Sequence, residues 1–148
     1  METILRVGDT PEGRRLIVSR SIDAHPDRVW DLFVDTWQWP AWGPSITDVR
    51  CSDRRVRRGS TGRVRAVGGL WIPFVVTSCV DYRWTWRVAG IPATGHRVEP
   101  SNGQCRAAFE VPLFAAPYAI VCLLALRRLQ ALAEWAPGIQ HGRSVTQE

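Results

Sequence analysis

The chain has 148 residues, 45% hydrophobic and 22% charged, which suits one globular domain with its own core and excludes a disordered chain. Its formal net charge is +5, and all 19 basic residues are Arg. The absence of Lys excludes Schiff-base and pyridoxal-phosphate chemistry and the lysine-bearing phosphate loop. Eight Trp suit a thick core or a pocket for flat apolar ligands, since each carries a large apolar body and one N–H. Cys51, Cys79, Cys105 and Cys122 show no C-x-x-C spacing, so no zinc or redox motif is expected, and free thiols point to a reducing cytoplasm. The N-terminus lacks an apolar secretory core, and the longest apolar run, Ala115 to Leu126, is too short to span a bilayer. A cytoplasmic location with no transmembrane segment is the expectation.

Residues 1–13 carry Gly8, Pro11 and Gly13 with little periodicity and read as a loose lead-in. Arg14 to Ile22 alternates as a strand, with Leu16, Val18, Arg20 and Ile22 on one face, an odd place for a charge. Pro26 and Asp27 suit a helix start, and Val29, Trp30, Leu32 and Phe33 form a helical apolar stripe. Trp37, Trp39, Pro40, Trp42, Gly43 and Pro44 then predict a turn with a second short helix. From Ile46 the texture is β. Predicted strands are Ile46–Cys51, Thr61–Val67, Leu70–Asp81, Arg83–Ile91, Thr94–Glu99 and Gln104–Leu113. Asn102-Gly103 is a strong hairpin signal, and Arg54 to Arg65, with six Arg, reads as a hairpin tip. Ala116–Trp135 predicts one long helix, apolar nearly all round in its first half, stopped by Pro137-Gly138. Residues 137–148 read as a polar, disordered tail.

This order predicts an α+β protein. A curved antiparallel sheet of about seven strands wraps around the long C-terminal helix, with two short helices after the first strand. A helix apolar all round is expected to be buried under the sheet; a gate or dimer surface is the other reading of Ala115 to Leu126.

Arg20-Ser21-Ile22-Asp23-Ala24-His25-Pro26 with Val29-Trp30, then Trp39-Pro40-Ala41-Trp42-Gly43-Pro44-Ser45-Ile46, and the aromatic strand Arg83-Trp84-Thr85-Trp86-Arg87 carry a family resemblance. The chain resembles the SRPBCC (START-like, Bet v 1-like) superfamily and, within it, the polyketide cyclase/dehydrase group, over residues 14–136. The resemblance implies a helix-grip domain with an apolar cavity between sheet and helix. It also implies a lipid, sterol, quinone or polyketide as ligand, and in some members cyclase or dehydratase activity.

His96 shares a strand face with Thr94 and Val98, and is a candidate general acid or base if Val98 faces the cavity; the alternative is a structural His bonded to a backbone carbonyl. Arg20 is a candidate for holding a carboxylate, phosphate or enolate oxygen; the alternative is an ion pair with Asp31 or Asp35. Glu110 and Arg106 are expected to face outward and solvate the sheet, with Glu99 opposite His96. Trp39, Trp42, Phe74, Trp84 and Trp86 are expected as wall and core together, with Ser78 orienting a polar group of the ligand. Phe109, Tyr118 and Cys122 complete the expected ligand contacts. No residue cluster implies a metal or cofactor.

The expected function is binding of a hydrophobic small molecule, polyketide-, lipid- or aromatic-like, in an internal cavity. In a cyclase- or dehydratase-like reaction, Arg20 would stabilise an enolate and His96 would move the proton. The alternatives are a non-catalytic lipid, quinone or sterol carrier, and an interaction protein using the Arg-rich 54–65 hairpin on an acidic partner. Nucleic acid is not expected, because no aromatic is interleaved in that hairpin. A homodimer is left open.

Overall fold

The computed structural model describes residues 3–135. In chain order the elements are β1 (Thr3–Thr10), β2 (Gly13–Ile22), α1 (Pro26–Val34), a 3₁₀ turn (Thr36–Gln38), α2 (Trp39–Trp42), β3 (Ile46–Cys51), β4 (Thr61–Ala66), β5 (Trp71–Val80), β6 (Arg83–Val88), β7 (Ile91–Ser101), β8 (Gln104–Pro112), a 3₁₀ segment (Leu113–Tyr118) and α3 (Ala119–Glu134). The strands form one antiparallel sheet in the order β1-β2-β8-β7-β6-β5-β4-β3. α3 lies on the concave face, and α1 and α2 sit beside it, as the helix-grip expectation requires.

The sheet has eight strands where about seven were expected. The additional strand is β1, in the stretch read as a loose lead-in. Thr3, Leu5 and Val7 pair with Arg20, Val18 and Leu16 of β2 in unbroken register. β1 is an edge strand exposed on both faces, so it carries no buried-face alternation for the sequence to reveal. At the other end of the chain, α3 begins at Ala119 rather than Ala116, because Leu113–Tyr118 winds as a 3₁₀ segment with a break at Ala115. Pro137-Gly138 and the tail lie outside the described residues.

α1 starts where Pro26 fixes φ and where the His25 side chain accepts from the Asp27 amide at 3.1 Å. Its C-terminus shows why the tryptophans follow so closely. The last four carbonyls of a helix have no intrahelical partner. Here the Asp35 amide reaches Asp31, the Trp42 indole reaches Leu32 at 2.8 Å, the Trp39 indole reaches Phe33 at 2.9 Å, and the Val56 amide reaches Val34 at 3.0 Å. The two indoles thus fasten α2 under α1.

Along α3, Ala119, Cys122, Leu126, Leu129 and Ala133 are buried at alternating spacings of three and four, a single stripe against β2 and β8. Ile120, Leu123 and Leu124 face outward, so the apolar first half is not buried under the sheet as expected. The helical run Leu113–Glu134 is long and apolar enough for a membrane span by composition, but its buried stripe makes it the core helix of this fold.

Replacing Trp42 by Phe keeps the ring and removes the donor to Leu32. Stability is expected to fall by about 1–3 kcal/mol, read as a lower denaturant midpoint. An unchanged midpoint would show that the Leu32 carbonyl does not depend on the indole.

Candidate functional site

The inner end of the space between sheet and helix is filled. Register places Cys79, Trp84, His96, Phe109 and Val18 in one row across β5, β6, β7, β8 and β2. Trp84 stacks on Trp39 of α2, with centroids 5.1 Å apart and planes 3° apart, and on His96, at 3.8 Å and 14°. Phe33, Trp42, Phe74, Trp86 and Phe109 pack edgewise or tilted around these rings.

His96 is fully buried, and both ring nitrogens are engaged. Nδ1 lies 3.2 Å from the Trp84 carbonyl and Nε2 lies 3.1 Å from the Thr94 hydroxyl. A carbonyl only accepts, so Nδ1 carries the proton. Thr94 then donates to Nε2 and accepts from the Trp86 indole at 3.2 Å. Burial drives the imidazole pKa down to about 3, the Trp84 carbonyl opposes that, and the field of Arg83 and Arg15 adds to it. The ring is neutral, and its Nε2 lone pair is occupied.

Toward the outer end the space is open. A pocket of about 380 Å³ lies between the strand ends and the 3₁₀ segment. Ile46, Val64, Ile72, Trp86, Val88, Ile91, Pro92, Ala93, Val111, Pro112, Phe114 and Ala115 supply apolar wall. Apart from the engaged Trp86 indole, the polar side-chain groups in the lining are three hydroxyls. That of Thr94 is committed to His96 and Trp86; Ser45 and Tyr118 bond each other at 2.7 Å. Burial pushes the Tyr118 phenol up, the Ser45 bond notwithstanding, so it stays un-ionised. A second void, about 20 Å³, lies deeper and is lined by Trp42, His96, Phe109 and Cys122, sharing Trp86, Thr94 and Tyr118 with the pocket. The Cys122 thiol is pushed up to about 12 by burial and packs as a small apolar group.

The expected site residues therefore divide. Trp86 and Tyr118 line the open pocket, and Trp42, Phe109 and Cys122 line the inner void. Trp39, Phe74 and Trp84 belong to the aromatic packing. Ser78 is not on the concave face. A bulge after Val76 pairs Ser78 with Thr85, whose hydroxyl it meets at 2.6 Å, and the same bulge turns Cys79 inward beside Trp84. Arg20 is not among the pocket-lining residues, and its guanidinium bonds Gln130 of α3 and Thr3 of β1. His96 and Arg20 are not brought together on one open space.

Glu110 does point to the convex face, but it is buried there rather than solvating it. Arg83 clasps it at 2.6 and 3.1 Å, Arg97 lies 3.7 Å away, and Glu12 of the β1–β2 turn also binds Arg83. Gly95 sits opposite Glu110, where a Cβ would come within 2.8 Å of its Oε1. Burial alone would lower the Arg83 pKa, but the two carboxylates outweigh it and hold the guanidinium charged. Arg106, expected beside Glu110, bonds Ser19 and Ser21. The 54–65 hairpin is partly neutralised: Arg54 pairs with Asp35, Arg55 with Asp31 and Arg57 with Asp53.

An antiparallel sheet gripping a C-terminal helix, with an apolar pocket at one end, defines an α+β helix-grip protein of the Bet v 1-like class. The sequence profile described as "Polyketide cyclase / dehydrase and lipid transport" matches residues 14–134, and the chain belongs to that family. Among solved structures it is similar to XoxI from Bacillus cereus (15% identity, 85% of this chain and 97% of that one, TM-score 0.64). It is also similar to CalU16 from Micromonospora echinospora (16%, 94% and 88%, 0.59) and to Ara h 8.0201 (10%, 88% and 98%, 0.60). At these identities the likeness is one of fold. A comparison with curated proteins gives no match.

Glu110→Gln is expected to destabilise the protein by about 3 kcal/mol or more, since it leaves Arg83 short of its buried counter-charge. The paired replacement Arg83→Met with Glu110→Leu is expected to recover much of that loss in urea denaturation. Equal midpoints for Glu110→Gln and the wild type would show that the pair contributes nothing.

Proposed function

We propose that this protein binds and shelters an apolar small molecule in the 380 Å³ pocket without transforming it. The observation that carries this reading is the composition of the wall. Apart from the engaged Trp86 indole, its polar side-chain groups are hydroxyls, and it holds no carboxylate, imidazole or guanidinium. Burial of apolar surface is then the main source of affinity, and the volume falls in the range of small-ligand sites. Ser45 and Tyr118 offer one polar point that could orient a ligand oxygen at the pocket entrance.

The cyclase-like alternative asks His96 to exchange a proton and Arg20 to hold an enolate. Both side chains are otherwise engaged, which favours the carrier reading among lipid-, quinone-, sterol- and polyketide-like ligands. The pairing of three hairpin arginines with aspartates speaks against an acidic partner on residues 54–65. The four thiols are unpaired, in keeping with the cytoplasmic setting expected from the sequence.

The neutral probe N-phenyl-1-naphthylamine is expected to bind the wild type saturably with enhanced fluorescence. Ala93→Phe, which fills the pocket from β7, is expected to weaken binding about tenfold, a loss of about 1.4 kcal/mol. Equal binding by the two proteins, or none by the wild type, would refute the reading.

A further inference from the structure

Five of the large apolar side chains that the fold leaves in water lie on segments that border the pocket. Val67 and Leu70 occupy the β4–β5 turn, next to the wall residues Ala66 and Ile72. Ile91 starts β7, and Phe114 lies in the 3₁₀ segment; both also line the pocket. Ile120 follows as the second residue of α3. Each of these five is between 55% and 73% exposed. Scattered exposed apolar residues need no explanation, but a group of this size around one opening marks a binding surface.

The segments that carry these side chains are basic. No Asp or Glu occurs between Arg54 and Val80, between Arg83 and Val98, or between Val111 and Ala133. Arg65 near the end of β4 and Arg87 near the end of β6 reach the turns that follow, donating to the Gly69 and Gly90 carbonyls at 3.4 and 3.2 Å. Arg127 and Arg128 lie exposed on α3, beyond its apolar turns. Among the described residues none of these four forms an ion pair. Acids do stand near by: Asp48 lies opposite Arg65 in register with its carboxylate accepting from the Val49 amide, Asp9 lies 4.0 Å from Arg14, and Glu12 is held by Arg83.

We propose that the pocket entrance docks on an anionic lipid bilayer, with Val67, Leu70, Ile91, Phe114 and Ile120 entering the interface and Arg65, Arg87, Arg127 and Arg128 meeting lipid phosphates. Apolar side chains on four separate segments need a soft apolar medium rather than one complementary shape, and hydrocarbon supplies it. Basic residues beside them add attraction to anionic headgroups. Docked in this way, the pocket opens toward the phase in which an apolar ligand dissolves. That purpose rests on the apolar-ligand reading, while docking itself does not.

The test is flotation with vesicles of phosphatidylcholine alone and of phosphatidylcholine mixed with phosphatidylglycerol. The wild type is expected to float with the mixed vesicles, less at high salt and little with phosphatidylcholine alone. Leu70→Ser with Ile120→Ser, neither of which lines the pocket, is expected to reduce flotation about tenfold or more. The same variant should keep its uptake of N-phenyl-1-naphthylamine. Arg127→Gln with Arg128→Gln is expected to lose most of the preference for phosphatidylglycerol. Trp37→Ser, on an exposed ring covered by Arg54 at the far end of the β3–β4 hairpin, should float as the wild type does. Ala93→Phe should float normally even where it fails to take up the probe, which separates this proposal from the pocket reading. The proposal is overturned if the wild type stays in buffer with the mixed vesicles, or if the Leu70/Ile120 variant floats undiminished. It is equally overturned if the rim is covered instead by a second copy or an acidic protein, seen as a stable complex in sedimentation with no flotation.

Discussion

The stacking of Trp84 on Trp39 and on His96 determines how much of the space between sheet and helix stays open. Three flat rings, drawn from α2, β6 and β7, fill most of the inner end, and further aromatics close on them edgewise or tilted. Aromatic pairs of this kind contribute about 0.5–1.5 kcal/mol each beyond the area they bury. Protonation of His96 works against the stack, because it would bury an imidazolium. With its pKa depressed from 6.5 to about 3, the folded state refuses a proton that the unfolded chain accepts. The contribution is therefore full above pH 6.5 and is lost as pH falls toward 3.

What the stack leaves behind is an outer pocket whose wall holds no carboxylate, imidazole or guanidinium. The residues best suited to chemistry are spent elsewhere. His96 is locked between Thr94 and the Trp84 carbonyl, Glu110 is buried among arginines on the convex face, and Arg20 reaches across to α3. The same architecture sets the apolar rim. α3 buries one stripe and presents the opposite side of its apolar turns, while the β4–β5 turn and the start of β7 add exposed side chains around the same opening.

Much of the fold was legible in the sequence, for reasons that can be named. Asn102-Gly103 closes the β7–β8 hairpin with both residues at positive φ, as that dipeptide favours. Pro26 with Asp27 marks the start of α1, and alternation places Trp84, Trp86, His96 and Phe109 inward. The errors also have causes. β1 buries neither face, so no period reveals it. A single bulge in β5 reverses the face of Ser78, and alternation carries no mark of a bulge. Phase distinguishes the two faces of a sheet but not exposure. Glu110 is on the outward face as read, yet neighbouring arginines from β6 and β7 bury it, a coincidence of three strands that one sequence does not display. For the same reason Arg20, correctly phased inward, stands under Gln130 of α3 instead of beside the pocket.

The most direct test is the ionisation of His96 itself. Long-range ¹H–¹⁵N correlation spectra of the imidazole should show the neutral tautomer protonated at Nδ1, unchanged from neutral pH downward until unfolding or a pH near 3. A ring that titrates reversibly in the folded protein near 6.5, or that carries its proton on Nε2, would contradict the locked stack and return His96 to the candidates for proton transfer.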